Sequence, residues 1–372
     1  CQMRRVLAVI EDPGAANGMV GLRESLAKQD ITFDLFANGA ALTYAPSIGL
    51  EVSAAPDDFS IMLQKNKLGA VLIGTSENPD AIAFSVIDQA RALDIHTVGF
   101  VDGPANAQHR FRGRTENSLA HIPNSLLVSD HLARDVFIDL GMSAKAIHVV
   151  GHPNMDRVRD RKAELMHEGK AQVRARVFPG IPAASPLVLF ATEISNGLDL
   201  NEFRRNQDYT LLGSGIYDGR TEICLEEIIS ALHTCNDQPC LALRLHPKND
   251  PKTFVPFGDD IDAINADGDP LEAVFAADII IGMTSILLFE AAILGLPTIS
   301  VTPRKLESAW LTSIGLGLTP QVCTREALQN ALQNLVHTPS AFVTPNIDII
   351  VPPGAAQRMT EHLMHIMAGT RE

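Results

Sequence analysis

Two stretches hold side chains whose types and spacing could bind and polarise a phosphate. "CLALRLHPKND" ends an apolar run with Arg244, His246 and Lys248. "DIIIGMTSILLFEAAILGLP" sets Thr284 and Ser285 at the start of a helix-like segment with one carboxylate, Glu290, inside it. An imidazole can donate to a phosphate oxygen or protonate a departing phosphate. Hydroxyls at a helix start can cap it or donate to an anion, and the first-turn N–H groups add positive potential. Glu290 stands about one and a half helical turns beyond Ser285. There a carboxylate can accept two hydroxyl hydrogen bonds at once, as a ribose supplies them. Left unpartnered in so apolar a helix it would cost several kcal/mol. The competing reading is an ion pair with an Arg or Lys elsewhere in the chain.

Other apolar runs end on candidate groups too. "RVLAVI" leads into "EDPGAANG", where Gly14 and Gly18 permit close backbone approach and Asp12 either caps the turn or acts on a substrate proton. The spacing is not GxGxxG, so a dinucleotide fingerprint is absent. "VGFVDGPANAQHRFRGR" sets Asp102 at a strand exit, where it is a candidate general base. His109, Arg110, Arg112 and Arg114 follow it, a basic group able to hold a phosphate or an acidic acceptor, though for any single Arg here a solvated loop is the favoured reading. "LVLFATE" ends in Glu193, a candidate contact for nucleotide or acceptor. His152, in "VVGHPNMDR", reads as a turn-shaping residue.

These groups need elements to position them. Short apolar runs alternate with amphipathic stretches from the first residues to about residue 150, which is the pattern of parallel βαβ units. A charged helical stretch and the Pro-rich "FPGIPAASP" interrupt it, and the alternation then resumes. The expected organisation is an N-terminal Rossmann-like domain over 1–165 on the acceptor side and a linker over 166–186. A Rossmann-like nucleotide-binding domain follows over 187–355, and a last helix over 356–372 can pack back on the first domain. The fold class expected is α/β, two doubly wound domains facing a cleft. In such sheets ligands bind outside the carboxyl ends of strands, where the candidate residues fall.

The bulk numbers narrow the function. The chain has 372 residues, 46% of them hydrophobic and 20% charged, which is ordinary for a globular protein of two domains. A formal net charge of -14 argues against a nucleic-acid partner. The five cysteines form no CxxC, so reduced thiols and a cytoplasmic location are expected. The opening "CQMRRVLAVIEDPG" has too short an apolar run for a secretion signal, and no stretch reads as a transmembrane segment. The acidic pairs in "GDDID" and "DGD" fall in a turn-rich loop and do not read as metal ligands.

The order of elements resembles the glycosyltransferase-B superfamily, which includes nucleotide-sugar glycosyltransferases and the UDP-N-acetylglucosamine 2-epimerases. "RLHPKND" is similar to the His-Pro motif of bacterial sialyltransferases, capsule Kdo transferases and glycerophosphotransferases. "MTSILLFEAAILGLP" is similar to their hydroxyl-pair, acidic-residue, Gly-x-Pro segment. That resemblance implies that His246, Thr284 and Ser285 hold the nucleotide phosphates and that Glu290 holds the ribose; Arg244 and Glu193, from their places at strand ends, are further candidate nucleotide contacts. In the epimerases a strand–Glu–Ala–Gly segment resembles "VGFVDGP" and puts Asp102 at a catalytic position. Their Gly pair before the ribose carboxylate is replaced here by Ser285 and Ile286, which favours the transferase branch.

The implied reaction is a metal-independent transfer from a nucleotide-sugar, with no further cofactor, to a glycan or small-molecule acceptor, in the building of a bacterial surface glycan. Asp102, or else Asp12, is the expected base, and His246 stabilises the leaving group. Gly14, His109 and Arg110 are the expected substrate contacts. The alternatives are a nucleotide-sugar 2-epimerase or hydrolase, and a non-catalytic nucleotide-sugar-binding protein.

Overall fold

The apolar runs become strands because β-rich sequences buried on both faces pair in parallel, with crossover helices between them. The computed structural model describes residues 4–65, 68–195, 203–337 and 346–369. Part of the polar stretch after Glu193, residues 196–202, lies outside them. The chain divides into two compact units, Cys1–Arg157 with Val351–Glu372, and Val158–Ile350.

The first unit holds β1 (Arg4–Ile10), β2 (Ile31–Ala37), β3 (Ser53–Ala54), β4 (Ala70–Gly74), β5 (Thr97–Val101), β6 (Ser125–Val128) and β7 (Ile147–Val149). They form one parallel sheet in the order β3-β2-β1-β4-β5-β6-β7. Val6, Ala8 and Ile10 pack on one face, and Leu7 and Val9 on the other. The helix Ala355–Met367 packs on the helix Leu22–Ala27 and sends Met359 and Leu363 into the first of these cores.

The second unit holds β8 (Leu187–Ala191), β9 (Cys240–Arg244), β10 (Ala263–Asn265), β11 (Ile279–Gly282), β12 (Thr298–Val301) and β13 (Gln321–Val322). Their order is β10-β9-β8-β11-β12-β13, again all parallel. Residues 166–186 lie within this unit, where the helix Lys170–Val177 packs against the helix Pro270–Ala276. The fold is thus two Rossmann-like α/β domains. No helix of the described residues is long and apolar enough to cross a membrane.

Local details depart from the sequence reading. β9 ends at Arg244, so His246 lies in the turn beyond the strand. The "GDDID" region is not simply a loop: a 3-10 helix, Pro251–Asp260, leads into β10. The edge strands β3, β10 and β13 are two or three residues long, too short to give a readable alternation.

The helix Ile286–Leu294 follows β11. Ser285 caps it, its Oγ accepting the Leu287 N–H at 3.3 Å. Gly295 ends it in the left-handed region at φ 85°, where the Leu296 N–H reaches the Ala291 carbonyl at 3.0 Å. This is a Schellman close, with Pro297 barring continuation. Every residue from Leu288 to Leu294 is buried. At about 1.5–3 kcal/mol for each large apolar side chain, that burial fixes the helix, and so its N-terminus, against the sheet.

Candidate functional site

In the second sheet the strand order reverses direction between β8 and β11, the switch point where open α/β sheets bind ligands. Register decides which side chains meet there. Ala191 pairs with Gly282 on one side and with Arg244 on the other. Two residues past each partner stand Glu193, Thr284 and His246, so a carboxylate leaves the central strand between a hydroxyl and an imidazole.

Glu193 is tightly held. It accepts the Thr284 N–H at 2.6 Å, the Thr284 hydroxyl at 2.9 Å and Arg220 Nη1 at 3.0 Å. It therefore occupies the start of the helix Ile286–Leu294 as an anion would. Arg220 is 0% exposed and also bonds Glu307, from Nε at 2.8 Å. Glu307 in turn accepts Arg304 Nε at 2.8 Å. Two carboxylates and two guanidiniums thus neutralise one another in the interior, which buried charge requires. The Phe203 and Trp310 rings lie 5.8 and 5.6 Å from the Arg220 guanidinium, a cation–π arrangement. The Thr221 hydroxyl donates to the Glu193 carbonyl at 2.7 Å, tying the helix Arg220–Leu232 to the end of β8.

The "HPKN" turn is pinned to the same strand end. Asn249 Oδ1 accepts the Thr192 hydroxyl at 2.7 Å and the His246 N–H at 3.1 Å, and its amide donates to the Glu193 carbonyl at 3.2 Å. His246 Nδ1 accepts the Lys248 N–H at 3.1 Å, so the neutral ring carries its proton on Nε2. Burial pushes His246 below the ordinary imidazole range, Glu193 opposes this and Lys248 adds to it. At neutral pH the ring is an uncharged donor.

Arg244 turns elsewhere. It bonds the Asn265 side chain, the Asp267 carbonyl at 2.6 Å and the Gly268 carbonyl at 3.1 Å, bracing the loop after β10. Burial lowers its pKa against the pull of Asp269 and Asp267. Glu290 is 4% exposed and is not without a partner.

In the first unit Asp102 follows β5. Its Oδ1 takes Arg110 Nη1 at 2.8 Å. Arg110 also reaches Thr75 Oγ1 at 2.9 Å and the Ala105 carbonyl at 3.0 Å. Burial pushes the Asp102 carboxyl up, but Arg110 and then His152 outweigh it and hold the group below its usual range. A Cβ added at Gly14 would lie 2.2 Å from Asp102 Oδ2, so glycine is what lets this carboxylate meet the turn after β1. His152 is buried, its ring edge-on to Phe100 at 5.8 Å, and burial keeps its pKa low. Asp12 stands at the N-cap of the helix Pro13–Asn17 without making a capping bond. His109 ends the 3-10 turn Ala107–His109, half-buried.

Sequence reasoning did not find Arg220, Glu307, Arg304 or Glu11. Glu11 is 6% exposed, its carboxyl pushed up by burial against hydrogen bonds from Ile82, Ala83 and Asn38, and its Oε2 has no hydrogen-bond partner. One signal was readable: a cation opening the apolar helix "RTEICLEEIISAL" opposes the helix dipole, which implies an acidic partner.

The fold is like that of several solved structures. The chain is similar to the solved structure of UDP-GlcNAc 2-epimerase from Neisseria meningitidis bound to UDP-GlcNAc, at 16% identity, TM-score 0.66, covering 97% of this chain and 99% of that one. It is similar to the UDP-GlcNAc 2-epimerase from Methanocaldococcus jannaschii at 14% identity and TM-score 0.68, covering 98% and 100%. It is also similar to the wall teichoic acid polymerase TagF, at 13% identity and TM-score 0.55, covering 99% and 90%. At these identities the likeness is one of fold. Compared with family models and with curated protein sequences, the chain matches none.

Proposed function

We propose that this protein is an enzyme acting on a nucleotide-activated sugar, and that it transfers the sugar to an acceptor without a metal. The observation that carries the proposal is the switch point of the second sheet, where Thr284, His246 and a capped helix start surround one carboxylate. The donor's diphosphate takes the Thr284 N–H and hydroxyl from Glu193, which stays on Arg220. The Nε2–H of neutral His246 donates to a phosphate oxygen, and the helix dipole offsets the charge that grows on the leaving group. Ser285 keeps the helix start in place, and Glu290 takes the ribose hydroxyls. Arg244 acts through the loop it braces.

In the first unit Asp102, kept ionised by Arg110, is the base for the acceptor hydroxyl, with Asp12 the alternative. Its depressed pKa makes it a weak base that is available throughout the neutral range. Gly14, His109 and Arg110 shape the acceptor end, Arg110 by holding Asp102.

A second reading, a nucleotide-sugar 2-epimerase or hydrolase, is supported by the solved structures of like fold, several of which are UDP-GlcNAc 2-epimerases. Incubation with UDP-, CMP-, GDP- and dTDP-sugars separates the two. Nucleotide released only when an acceptor is added supports transfer. Epimer or free sugar formed without acceptor refutes transfer and supports the second reading. No turnover of any sugar nucleotide under either condition refutes both.

A further inference from the structure

The candidate groups above follow the carboxyl ends of strands. The opposite edge of the first unit's sheet carries another concentration of ionisable side chains. His96 directly precedes β5, Ser125 opens β6, and His148 is the second residue of β7. The helix Ala355–Met367 adds His362 and His365. These groups line one open cavity of about 1190 Å³.

Two of the histidines touch, and a third is joined to them through Ser125. The His148 and His362 rings are 4.0 Å apart between centres, tilted by 44°. Ser125 Oγ lies 3.2 Å from His96 Nε2 and 3.5 Å from His362 Nε2. One hydroxyl proton can serve only one of these rings, so the two imidazoles are linked through Ser125. Burial, and then His148, His96 and His365, push His362 down to about 4.

The fixed charges around the cavity are Arg91 and Asp94 before β5, Lys145 before β7, and Arg358 and Glu361 on the C-terminal helix. Asp88 also pairs with Arg91 at 3.4 Å, so the fixed charges balance and the imidazoles decide the charge of the site, in a chain of formal net charge -14. Arg358 directs its donors to the Val150, Pro352 and Pro353 carbonyls, and Arg91 donates to the Ile122 carbonyl. Lys145 and the imidazoles are the cations able to rearrange. No three His, Cys, Asp or Glu side chains among the described residues are placed to hold a metal ion. An oxyanion fits this site better. It would relieve the mutual repulsion that keeps neighbouring imidazoles from charging together.

We propose that this cavity is a binding site for a phosphate-bearing anion, and that it takes up protons when the anion binds. The chemistry recognised is the phosphoryl oxyanion, supplied by free orthophosphate or by the end of a larger ester. The site is independent of the proposed donor site, which lies in the other unit.

Calorimetric titration of the full chain with orthophosphate and with ribose 5-phosphate, near pH 6 and near pH 8, tests this. Buffers of different ionisation enthalpy report proton uptake. Sulfate, whose charge is constant over this range, separates titration of the protein from that of phosphate. Affinity about tenfold tighter near pH 6, with net proton uptake, is expected because a bound anion stabilises charged imidazoles. Tighter binding of the ester would identify the larger ligand, and equal affinity the free anion; either supports the site. His365→Gln and Lys145→Ala, at exposed positions, should each weaken binding about fivefold or more with an unchanged melting temperature. Absence of binding at both pH values, binding without proton uptake, or wild-type affinity in the folded double variant would overturn the proposal.

Discussion

Glu193→Gln is the most informative single change, because the structure gives its carboxylate two opposing effects. In the protein as it stands, the carboxylate takes the Thr284 N–H, the Thr284 hydroxyl and Arg220. An amide keeps the shape and loses the charge. Hydrogen bonds to charged groups contribute about 1.5–3 kcal/mol and neutral ones about 0.5–1.5 kcal/mol, so the fold should lose about 1–2 kcal/mol. Nucleotide binding should move the other way. A phosphate at the helix start would stand roughly 6 Å from Glu193, where two like unit charges cost about 3 kcal/mol at an effective dielectric of 20. Screening in an open site cuts this to about 1–2 kcal/mol. Removing the charge should then tighten the nucleoside diphosphate by roughly 5- to 30-fold. Calorimetric Kd values and melting temperatures of both proteins test this together. Weaker nucleotide binding by a folded Glu193→Gln protein would refute the placement of the phosphate on the Thr284 donors that this carboxylate now holds.

Further outcomes follow from the same geometry. Arg220→Met leaves the wholly buried Glu307 with Arg304 alone, and should lower unfolding stability by about 3 kcal/mol or more in denaturant titrations. Adding Glu307→Gln should restore part of that loss. Gly14→Ala drives a methyl against Asp102 and should lower turnover roughly a hundredfold with little change in nucleotide affinity. His362 has a folded pKa of about 4 against an ordinary 6.5, so it contributes stability above pH 6.5 that is lost as pH falls towards 4. Denaturation midpoints should fall over that window, and less steeply in His362→Leu.

The sequence showed the strands and hydroxyls more clearly than the network that joins them. "LVLFATE", "CLALRLHP" and "DIIIGMTS" each announce a strand with a polar residue beyond it, because buried parallel strands are continuous apolar runs. That β8 lies between β9 and β11, and so brings Glu193 between His246 and Thr284, depends on strand order. No local pattern encodes strand order. The Arg220 pairs with Glu193 and Glu307 span 27 and 87 residues, and nothing in either neighbourhood signals the other. Arg244 shows the reverse. Its type and place suited a phosphate, but the loop after β10 supplies carbonyls nearby and takes its donors.

The central claim, that the end of the second sheet holds a nucleoside diphosphate, is met most directly by titrating UDP, CDP, GDP and dTDP into the wild-type and Glu290→Ala proteins. The account predicts that at least one binds, and that the variant, folded, binds it about tenfold or more weakly. Binding of none, or equal affinity in the two proteins, would contradict it.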